Sequence, residues 1–204
     1  TLNKILVADN GYIEDVISPL DLLQDQNVIY RHVCVLGMGY VGLTLAMVLA
    51  DEGFQVTGVD LNQKVFDSLR KKIPPFFEIG LEPLIERYVD NGFNVLSELD
   101  SGYDIYVVAV GTPINEKGVP MMDDVKKVLG QIAAVLKFKD LVILRSTVPP
   151  CTCREVAIPI LEKGSGLKVG SEFNFVFAPE RTVQGKALEE LRLLPQIIGG
   201  YSQE

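Results

Sequence analysis

The sequence predicts an α/β protein whose doubly wound, mainly parallel sheet carries helices on both faces. Three observations favour this fold class. Apolar runs of strand length alternate along the chain with segments of helical periodicity. A glycine-rich turn of the form G-x-G-x-x-G, at residues 37–42, follows an apolar β-branched run and opens a helical segment. Polar residues or glycines follow several of the strands, where ligands of open parallel sheets bind.

The first predicted element is a β-hairpin within residues 6–18. The Asn-Gly pair at 10–11 is a strong turn signal between two strand-like runs. Residues 19–24 are expected to begin a helix. We assign residues 1–30 to an N-terminal extension that resembles the second half of a CBS-type regulatory repeat, with a simple extension as the equal alternative. Residues 31–204 form the predicted main domain.

The segment around the glycine-rich turn predicts a strand, a turn, a helix and a second strand. The residues between His32 and Gly37 are apolar and include the β-branched Val33 and Val35, which favours a buried strand with Cys34 in the core. Residues 43–50 contain the small and apolar side chains of a helix packed on a sheet. Residues 55–59 predict the second strand.

Each part of this segment has a physical task in binding a dinucleotide. Gly37 permits a tight turn, Gly39 lets the backbone approach a pyrophosphate, and Gly42 allows the helix to pack closely on the sheet. The helix N-terminus adds N–H groups and the positive end of the helix dipole. Asp60 follows the second strand and lies 18 residues after Gly42, close to the spacing of about 20 residues expected of a carboxylate that binds the adenosine ribose. Its negative charge would repel a 2′-phosphate and therefore favours NAD over NADP. A purely structural turn is the alternative.

The rest of the chain continues the alternation of helices and strands. Pro74 and Pro75 exclude helix from the loop at residues 73–80. The middle elements are a helix from about residue 62, a helix over 81–88, strands over 93–96 and 105–110, a helix over 123–136 and a strand over 141–144. The last third contains a helix over 155–163, a break at 164–166, a strand over 173–177 and an apolar run over 194–200.

Four strands end at residues that suit a shared ligand crevice, because the carboxyl ends of parallel strands meet at one edge of the sheet. These residues are Gly37, Asp60, Thr112 and Thr147. Each threonine taken alone is better explained as a helix cap, but the four positions together favour a crevice. The pair Glu180-Arg181 follows a fifth strand and is equally open to a structural ion pair and to an active-site role.

Composition limits the classes of function. With 48% hydrophobic and 23% charged residues, the 204-residue chain suits a globular core. A net charge of −8 argues against nucleic acid or an anionic membrane as the partner. The sequence shows neither the roughly 20 apolar residues of a membrane span nor a signal peptide, so we expect a cytoplasmic protein.

The three cysteines and the single histidine carry little chemistry of their own. An odd number of cysteines without a secretion signal fits reduced thiols. Cys151 and Cys153, taken as a nucleophile or a metal pair, are a minor alternative, and we predict no metal site. His32 precedes the first strand of the main domain, which disfavours a hydroxy-acid dehydrogenase that needs a histidine as its proton acceptor.

Four motifs together resemble the N-terminal domain of the UDP-glucose/GDP-mannose dehydrogenase family. They are G-M-G-Y-V-G-L at 37–43, G-T-P at 111–113, S-T-V-P-P at 146–150 and A-P-E-R at 178–181. The resemblance covers residues 31–204 and implies a Rossmann-type NAD-binding domain. Residues 179–188 are most similar to the branch that acts on UDP-N-acetylhexosamines, with UDP-glucose and GDP-mannose as the alternative substrates.

The resemblance implies an NAD-dependent, two-step oxidation of a sugar C6 alcohol to a carboxylate, in which two NAD are reduced. It implies that the cofactor is held by Gly37, Gly39, Tyr40, Val41, Gly42, Asp60, Lys64, Thr112 and Thr147. Thr147 would also line the reacting centre with Glu180, which positions or activates water. Arg181 would orient Glu180 or contact the substrate.

The resemblance also implies what lies outside these residues. The family's nucleophilic cysteine belongs to a later region, and the central dimerisation and C-terminal UDP-binding domains are not among the 204 residues. We therefore expect this chain alone to bind NAD without turnover, and the full-length enzyme to be a homo-oligomer that acts on a UDP-sugar. A stand-alone NAD-binding or sensing module is the alternative from a different class.

Overall fold

The structure is a computed structural model that describes residues 5–9, 12–17 and 32–201. Its strands are β1 (Ile5–Asp9), β2 (Tyr12–Ile17), β3 (His32–Leu36), β4 (Gln55–Val59), β5 (Phe93–Leu96), β6 (Ile105–Val108), β7 (Leu141–Leu144), β8 (Asn174–Phe177) and β9 (Gln196–Gly200). Its helices are α1 (Tyr40–Asp51), α2 (Gln63–Arg70), α3 (Leu81–Tyr88), α4 (Asp123–Val135), α5 (Ile158–Ser165) and α6 (Ala187–Leu193). None of the helices in these ranges is long and apolar enough to cross a bilayer.

One sheet contains all nine strands, in the order β2-β1-β9-β8-β7-β6-β3-β4-β5. Its six central strands, from β8 to β5, are all parallel, and the chain changes direction across the sheet between β3 and β6. This strand order is that of the Rossmann fold, and it confirms the predicted doubly wound sheet. The outer strand β9 runs antiparallel to β8 and pairs with β1.

Helices cover both faces of the sheet because side chains alternate along each strand. On β3, Val33 and Val35 face the core formed with α1, α2, α3 and α6. Cys34 and Leu36 face the opposite core, formed with α4 and α5. Cys34 is fully buried, as predicted, and burial raises the pKa of its thiol.

Most of the predicted elements are confirmed. The predicted bounds of β4, β5, β7 and α3 agree with the structure, while β6 ends two residues early and α4 one residue early. His32, predicted to precede the first strand of the main domain, is instead the first residue of β3. The antiparallel pairing of β1 with β2 confirms two strands in the predicted hairpin. Its turn at residues 10–11 and the helix expected from residue 19 lie outside the described residues.

The second half of the chain differs from the prediction in three details. The helix expected at 155–163 begins as a π-helical turn, Cys153–Ala157, and continues as α5. The break expected at 164–166 falls only at Gly166, whose φ of +76° ends the helix. Gly164 lies inside α5, where an added Cβ would come within 2.6 Å of the Cβ of Ala133 on α4. Helix α6 was not predicted.

Asp140, at the start of β7, makes the stability of the fold depend on pH. The residue is 6% exposed, and its carboxylate accepts a hydrogen bond from the Lys137 N–H at 2.7 Å. Burial, aided by the nearby charge of Asp104, raises the pKa of Asp140 to about 6. Because this pKa is higher in the folded than in the unfolded chain, the stabilisation is complete below the unfolded pKa and is lost as pH rises through about 6.

As pH rises from about 4 to about 7.5, we therefore expect the free energy of unfolding of Asp140→Asn to increase by about 1–3 kcal/mol relative to that of the wild type. The amide oxygen still accepts from Lys137 N–H, and no charge needs to be buried. Denaturant unfolding at a series of pH values measures the difference. Asp51→Asn is the control, because the Tyr88 hydroxyl and Arg192 lower the pKa of Asp51 from 3.8. The wild type should therefore lose stability relative to Asp51→Asn only as pH falls below that value, and the two curves should run parallel at higher pH. Parallel stability curves for Asp140→Asn and the wild type would contradict the assignment.

Candidate active-site crevice

A crevice lies at the carboxyl ends of the parallel strands, where the two halves of the sheet meet between β3 and β6. The structure brings the four predicted strand-end residues to this edge. They are Gly37 after β3, Asp60 after β4, Thr112 after β6 and Thr147 after β7. The placement follows from the strand order, because β3 pairs with both β4 and β6.

The glycine-rich turn fits the space between β3 and α1 only because it has no side chains at two positions. Gly37 has a φ of +100°, and an added Cβ would lie 2.8 Å from the Ala109 carbonyl oxygen. An added Cβ on Gly42 would lie 1.8 Å from the Gly37 carbonyl oxygen. Gly39 is different, since no atom lies within 4 Å of its added Cβ. The backbone at Gly39 is therefore open to a ligand in the crevice.

The first turn of α1 directs backbone N–H groups toward the same opening. The first helical bond is donated by Leu43 N–H to the Gly39 carbonyl at 3.0 Å. The preceding N–H groups, those of Tyr40, Val41 and Gly42, therefore have no partner within the helix. An anion at this helix end would also meet the positive end of the helix dipole.

Asp60 faces the turn from the neighbouring strand. Its carboxylate accepts hydrogen bonds from Met38 N–H at 2.7 Å and Asn62 N–H at 2.8 Å. Each carboxylate oxygen has a second lone pair, so both oxygens are able to accept further hydroxyl donors. Asp60 and Gly39 line a cavity of about 420 Å³ that is also bounded by Leu61, Asn62, Val128 and Gln131.

A second cavity of about 230 Å³ continues the crevice on the other side of the glycine-rich turn. Thr112 and Thr147 meet there, because the Thr112 hydroxyl donates to the Thr147 carbonyl oxygen at 2.6 Å. Tyr40, Val41 and Glu180 line the same cavity, together with Arg145. The hydroxyl of Thr112 is thus bonded to a residue that follows the neighbouring strand and caps no helix.

A buried glutamate supports the turn from behind. Glu78 is 5% exposed and accepts hydrogen bonds from the Tyr40 hydroxyl at 2.7 Å and from Gly185 N–H at 2.7 Å. It also accepts from Ala187 N–H, the first residue of α6, at 2.9 Å. Burial and the adjacent carboxylate raise the pKa of Tyr40. Glu78 thus joins the glycine-rich turn to the segment that precedes α6.

The Glu180 carboxylate is paired with Arg145 rather than with the neighbouring Arg181. The Arg145 Nη2 atom lies 2.5 Å from Glu180 Oε2, and both side chains are less than 10% exposed. Arg181 gives only its backbone N–H to Glu180, while its guanidinium donates to the Pro195 carbonyl at 3.4 Å. Arg181 is exposed, so its predicted contact with substrate stays a prediction.

Two further sequence predictions are placed less centrally. Lys64 lies on the exposed side of the first turn of α2 and does not line either cavity. Thr152 precedes the π-helical turn and forms no side-chain capping bond to it. Cys151 is exposed with a φ of +69°, and burial raises the pKa of Cys153. In the described ranges, no group of three potential metal ligands comes together.

Sequence reasoning gave no role to Arg145 or Glu78, and each left a signal. Arg145 is a charged residue placed directly after the buried strand β7, at the edge where ligands bind. Glu78 is a lone acid among Phe76, Phe77 and Ile79 in a proline-containing loop. A charge in an apolar setting indicates a specific partner, because burying it unpaired is costly.

Comparison with known proteins identifies the family. Residues 31–204 match the NAD binding domain of the UDP-glucose/GDP-mannose dehydrogenase family. The UDP-N-acetyl-D-mannosamine dehydrogenase of Campylobacter jejuni is 34% identical over 182 residues, which are 86% of this chain and 45% of that protein. The GDP-mannose 6-dehydrogenase of Pseudomonas syringae pv. syringae is 32% identical over 82% of this chain and 40% of that protein.

The fold agrees with solved structures of such enzymes. The NDP-N-acetyl-D-galactosaminuronic acid dehydrogenase of Methanosarcina mazei Go1 superposes with a TM-score of 0.83 and 31% sequence identity, over 92% of this chain and 42% of that one. The chain thus spans less than half the length of the relatives it matches. The glycine-rich turn, the crevice and these similarities agree: the chain belongs to the UDP-glucose/GDP-mannose dehydrogenase family and is its NAD-binding domain.

Proposed function

We propose that the protein containing this chain oxidises the C6 alcohol of a UDP-N-acetylhexosamine to the uronate, with NAD bound in the crevice. The observation that carries the proposal is the juxtaposition of Asp60 with the open backbone at Gly39. The UDP-N-acetylhexosamine is supported by residues 179–188 and by the 34% identity to a UDP-N-acetyl-D-mannosamine dehydrogenase. GDP-mannose and UDP-glucose are the competing substrates, since GDP-mannose 6-dehydrogenases are 32% identical.

The residues of the crevice fit NAD. The open space at Gly39 and the N–H groups at the start of α1 suit a pyrophosphate, which needs close approach and positive potential. Asp60 has acceptor capacity for the two ribose hydroxyls, and its charge would repel a 2′-phosphate. The cavity of about 420 Å³ beside it is bounded by the apolar side chains of Leu61 and Val128, which suit an adenine ring.

NAD, when bound, accepts the hydride in each of the two oxidation steps. The chain's own residues orient and enclose the reacting end. Thr112 and Thr147, joined by a hydrogen bond, line the second cavity, which continues the crevice beyond the glycine-rich turn. Glu180 places a carboxylate in that cavity and would orient the water that hydrolyses the covalent intermediate implied by the family. Arg181, being exposed, would contact the sugar nucleotide.

The cysteines of this chain have no place in the proposed chemistry. Cys34 is buried in the core, and Cys151 and Cys153 lie outside the cavity that Thr147 and Glu180 line. We therefore propose that these 204 residues alone bind NAD without forming NADH. The homo-oligomeric state of the full-length enzyme and its cytoplasmic location stay predictions.

Asp60→Ala is expected to weaken NAD binding about 10- to 100-fold and to weaken NADP binding much less, so that the preference for NAD falls. The reason is that the variant loses the ribose acceptors and also loses the charge that repels a 2′-phosphate. Calorimetric titration of the chain with each cofactor measures both affinities. Asp67→Ala, an exposed position on α2 outside the cavity, is the matched control. An unchanged NAD affinity in Asp60→Ala would contradict the assigned ribose site.

The test of the whole function is NADH formation by the full-length protein. UDP-N-acetylmannosamine, UDP-N-acetylglucosamine, UDP-glucose and GDP-mannose are offered in turn. Two NADH for each UDP-N-acetylhexosamine consumed would support the proposal, whereas turnover of only GDP-mannose or UDP-glucose would replace the substrate. NAD binding without reduction by any of the four would favour the stand-alone binding module.

A further inference from the structure

Glu180 and Arg145 form a buried ion pair that holds the carboxylate from several directions. The guanidinium donates to Glu180 Oε2 through Nε at 3.0 Å and through Nη2 at 2.5 Å. The other oxygen, Oε1, accepts from the N–H groups of Arg181 and Thr182, both at 2.7 Å. Four hydrogen bonds therefore occupy the four principal acceptor positions of one carboxylate.

Arg145 is itself fixed on the side away from Glu180. Its Nη1 atom donates to the Ala178 carbonyl oxygen at 3.3 Å and lies 3.5 Å from the Gln196 side-chain oxygen. These contacts join the ends of β7 and β8 to the start of β9. The Arg145 side chain is 5% exposed and the Glu180 side chain 9% exposed, so solvent screens their interaction weakly.

We propose that Arg145 is a positioning residue that keeps Glu180 as a fixed anion in the crevice, so that Glu180 acts by orienting its neighbours and not by accepting a proton. The part of this inference that concerns chemistry rests on the proposed function. The pairing itself depends only on the geometry of Arg145, Glu180 and the two backbone donors. Arg181, which the sequence pairs with Glu180, contributes a backbone N–H and no side-chain charge to the carboxylate.

The electrostatics agree with this geometry. Burial alone would favour the protonated carboxyl, but the Arg145 charge and the hydrogen bonds from Thr182 and Arg181 outweigh it, and the pKa of Glu180 is lowered. A carboxylate with a lowered pKa and occupied acceptor positions is a poor proton acceptor at neutral pH. It remains a strong local charge, and its electric field orients the dipole of a water molecule or a hydroxyl group in the crevice without a direct hydrogen bond.

The pairing is tested on the 204-residue chain by following the side-chain carboxyl carbon of Glu180 by ¹³C NMR as pH is varied. The signal is assigned by its loss in Glu180→Gln. In the wild type we expect the titration midpoint to lie below the usual range for glutamate. In Arg145→Met the midpoint is expected to rise by at least about one pH unit, because burial then acts without the opposing charge. An unchanged midpoint in Arg145→Met would overturn the proposal.

Two further variants keep the test decisive. Arg181→Met is the matched control, since it removes an adjacent exposed cation and retains the backbone N–H. The Glu180 midpoint is expected to move much less in Arg181→Met than in Arg145→Met. An equal shift in the two variants would overturn the proposal. If Arg145→Met does not fold, the double variant Arg145→Met/Glu180→Gln decides. The double variant is expected to restore folding because no unpaired charge remains buried. A double variant that is no more stable than Arg145→Met would overturn the pairing.

The same samples separate this inference from the proposed function. Wild-type chain that fails to bind NAD in a calorimetric titration would refute the cofactor site and leave the titration result for Glu180 valid. Normal NAD binding with an unchanged Glu180 midpoint in Arg145→Met would refute the role of Arg145 alone. In the full-length enzyme, Arg145→Met is expected to shift the acid limb of the pH profile of NADH formation upward, to the Glu180 midpoint that NMR gives for the same variant.

Discussion

Gly42→Ala is expected to destabilise the domain by about 2–5 kcal/mol, because the new methyl group meets backbone and not a movable side chain. The added Cβ would lie 1.8 Å from the carbonyl oxygen of Gly37, so α1 would have to move away from the sheet. Denaturant unfolding of the 204-residue chain measures the loss. NAD binding should be lost with it, since the first turn of α1 would no longer face the crevice.

Gly39→Ala is the matched variant in the same turn, and its expected effects are reversed. Its Cβ would meet no atom within 4 Å, and its φ of −72° suits alanine, so the free energy of unfolding should change by less than about 1 kcal/mol. The methyl group would occupy the approach of the pyrophosphate, and NAD affinity should fall about tenfold or more. A Gly39→Ala variant with wild-type affinity would contradict the assigned phosphate site, and a stable Gly42→Ala would show that α1 has room to move.

Glu78→Ala is expected to cost about 2–5 kcal/mol of stability, because it leaves buried donors without an acceptor. The Tyr40 hydroxyl and the N–H groups of Gly185 and Ala187 all donate to this carboxylate. We expect the segment before α6 to loosen first, so hydrogen exchange should accelerate at residues 183–187 more than elsewhere. Thermal and denaturant unfolding give the global change.

Glu82→Ala is the control for this prediction, since Glu82 is an exposed glutamate in the first turn of α3, four residues further along the chain. Its replacement should change stability by about 0.5 kcal/mol or less. Tyr40→Phe removes only the hydroxyl donor, so its loss of stability should lie between those of Glu78→Ala and Glu82→Ala. Equal losses for Glu78→Ala and Glu82→Ala would mean that Glu78 does not hold the segment before α6.

Much of the fold could be predicted because local patterns and the sheet agree. The short runs at β4, β5 and β7 consist mainly of apolar or β-branched residues and lie between turn residues, and their predicted bounds are confirmed. The elements that were missed depend on distant contacts. The first N–H group of α6, that of Ala187, donates to the carboxylate of Glu78, which lies more than a hundred residues earlier in the chain. The π-helical turn before α5 has no local sequence signature.

The candidate site shows the same division. The glycine-rich turn and Asp60 could be predicted because their spacing follows from one strand-turn-helix unit. The partner of Glu180 could not be predicted in this way. The sequence places Arg181 beside Glu180, whereas the fold brings Arg145 to Glu180 from the end of the neighbouring strand. A charged pair formed between parallel strands leaves no periodic signal in the chain.

The crevice lies across the junction of the two halves of the sheet, between β3 and β6. Three helices and two strands separate these neighbours in the chain, so closing the junction brings together distant segments and is expected to be a slow step in folding. A dinucleotide bound against Asp60 on one side and Gly111 on the other would contact both halves of the sheet and stabilise their junction. The free energy of unfolding of the domain would then rise with the concentration of its own cofactor.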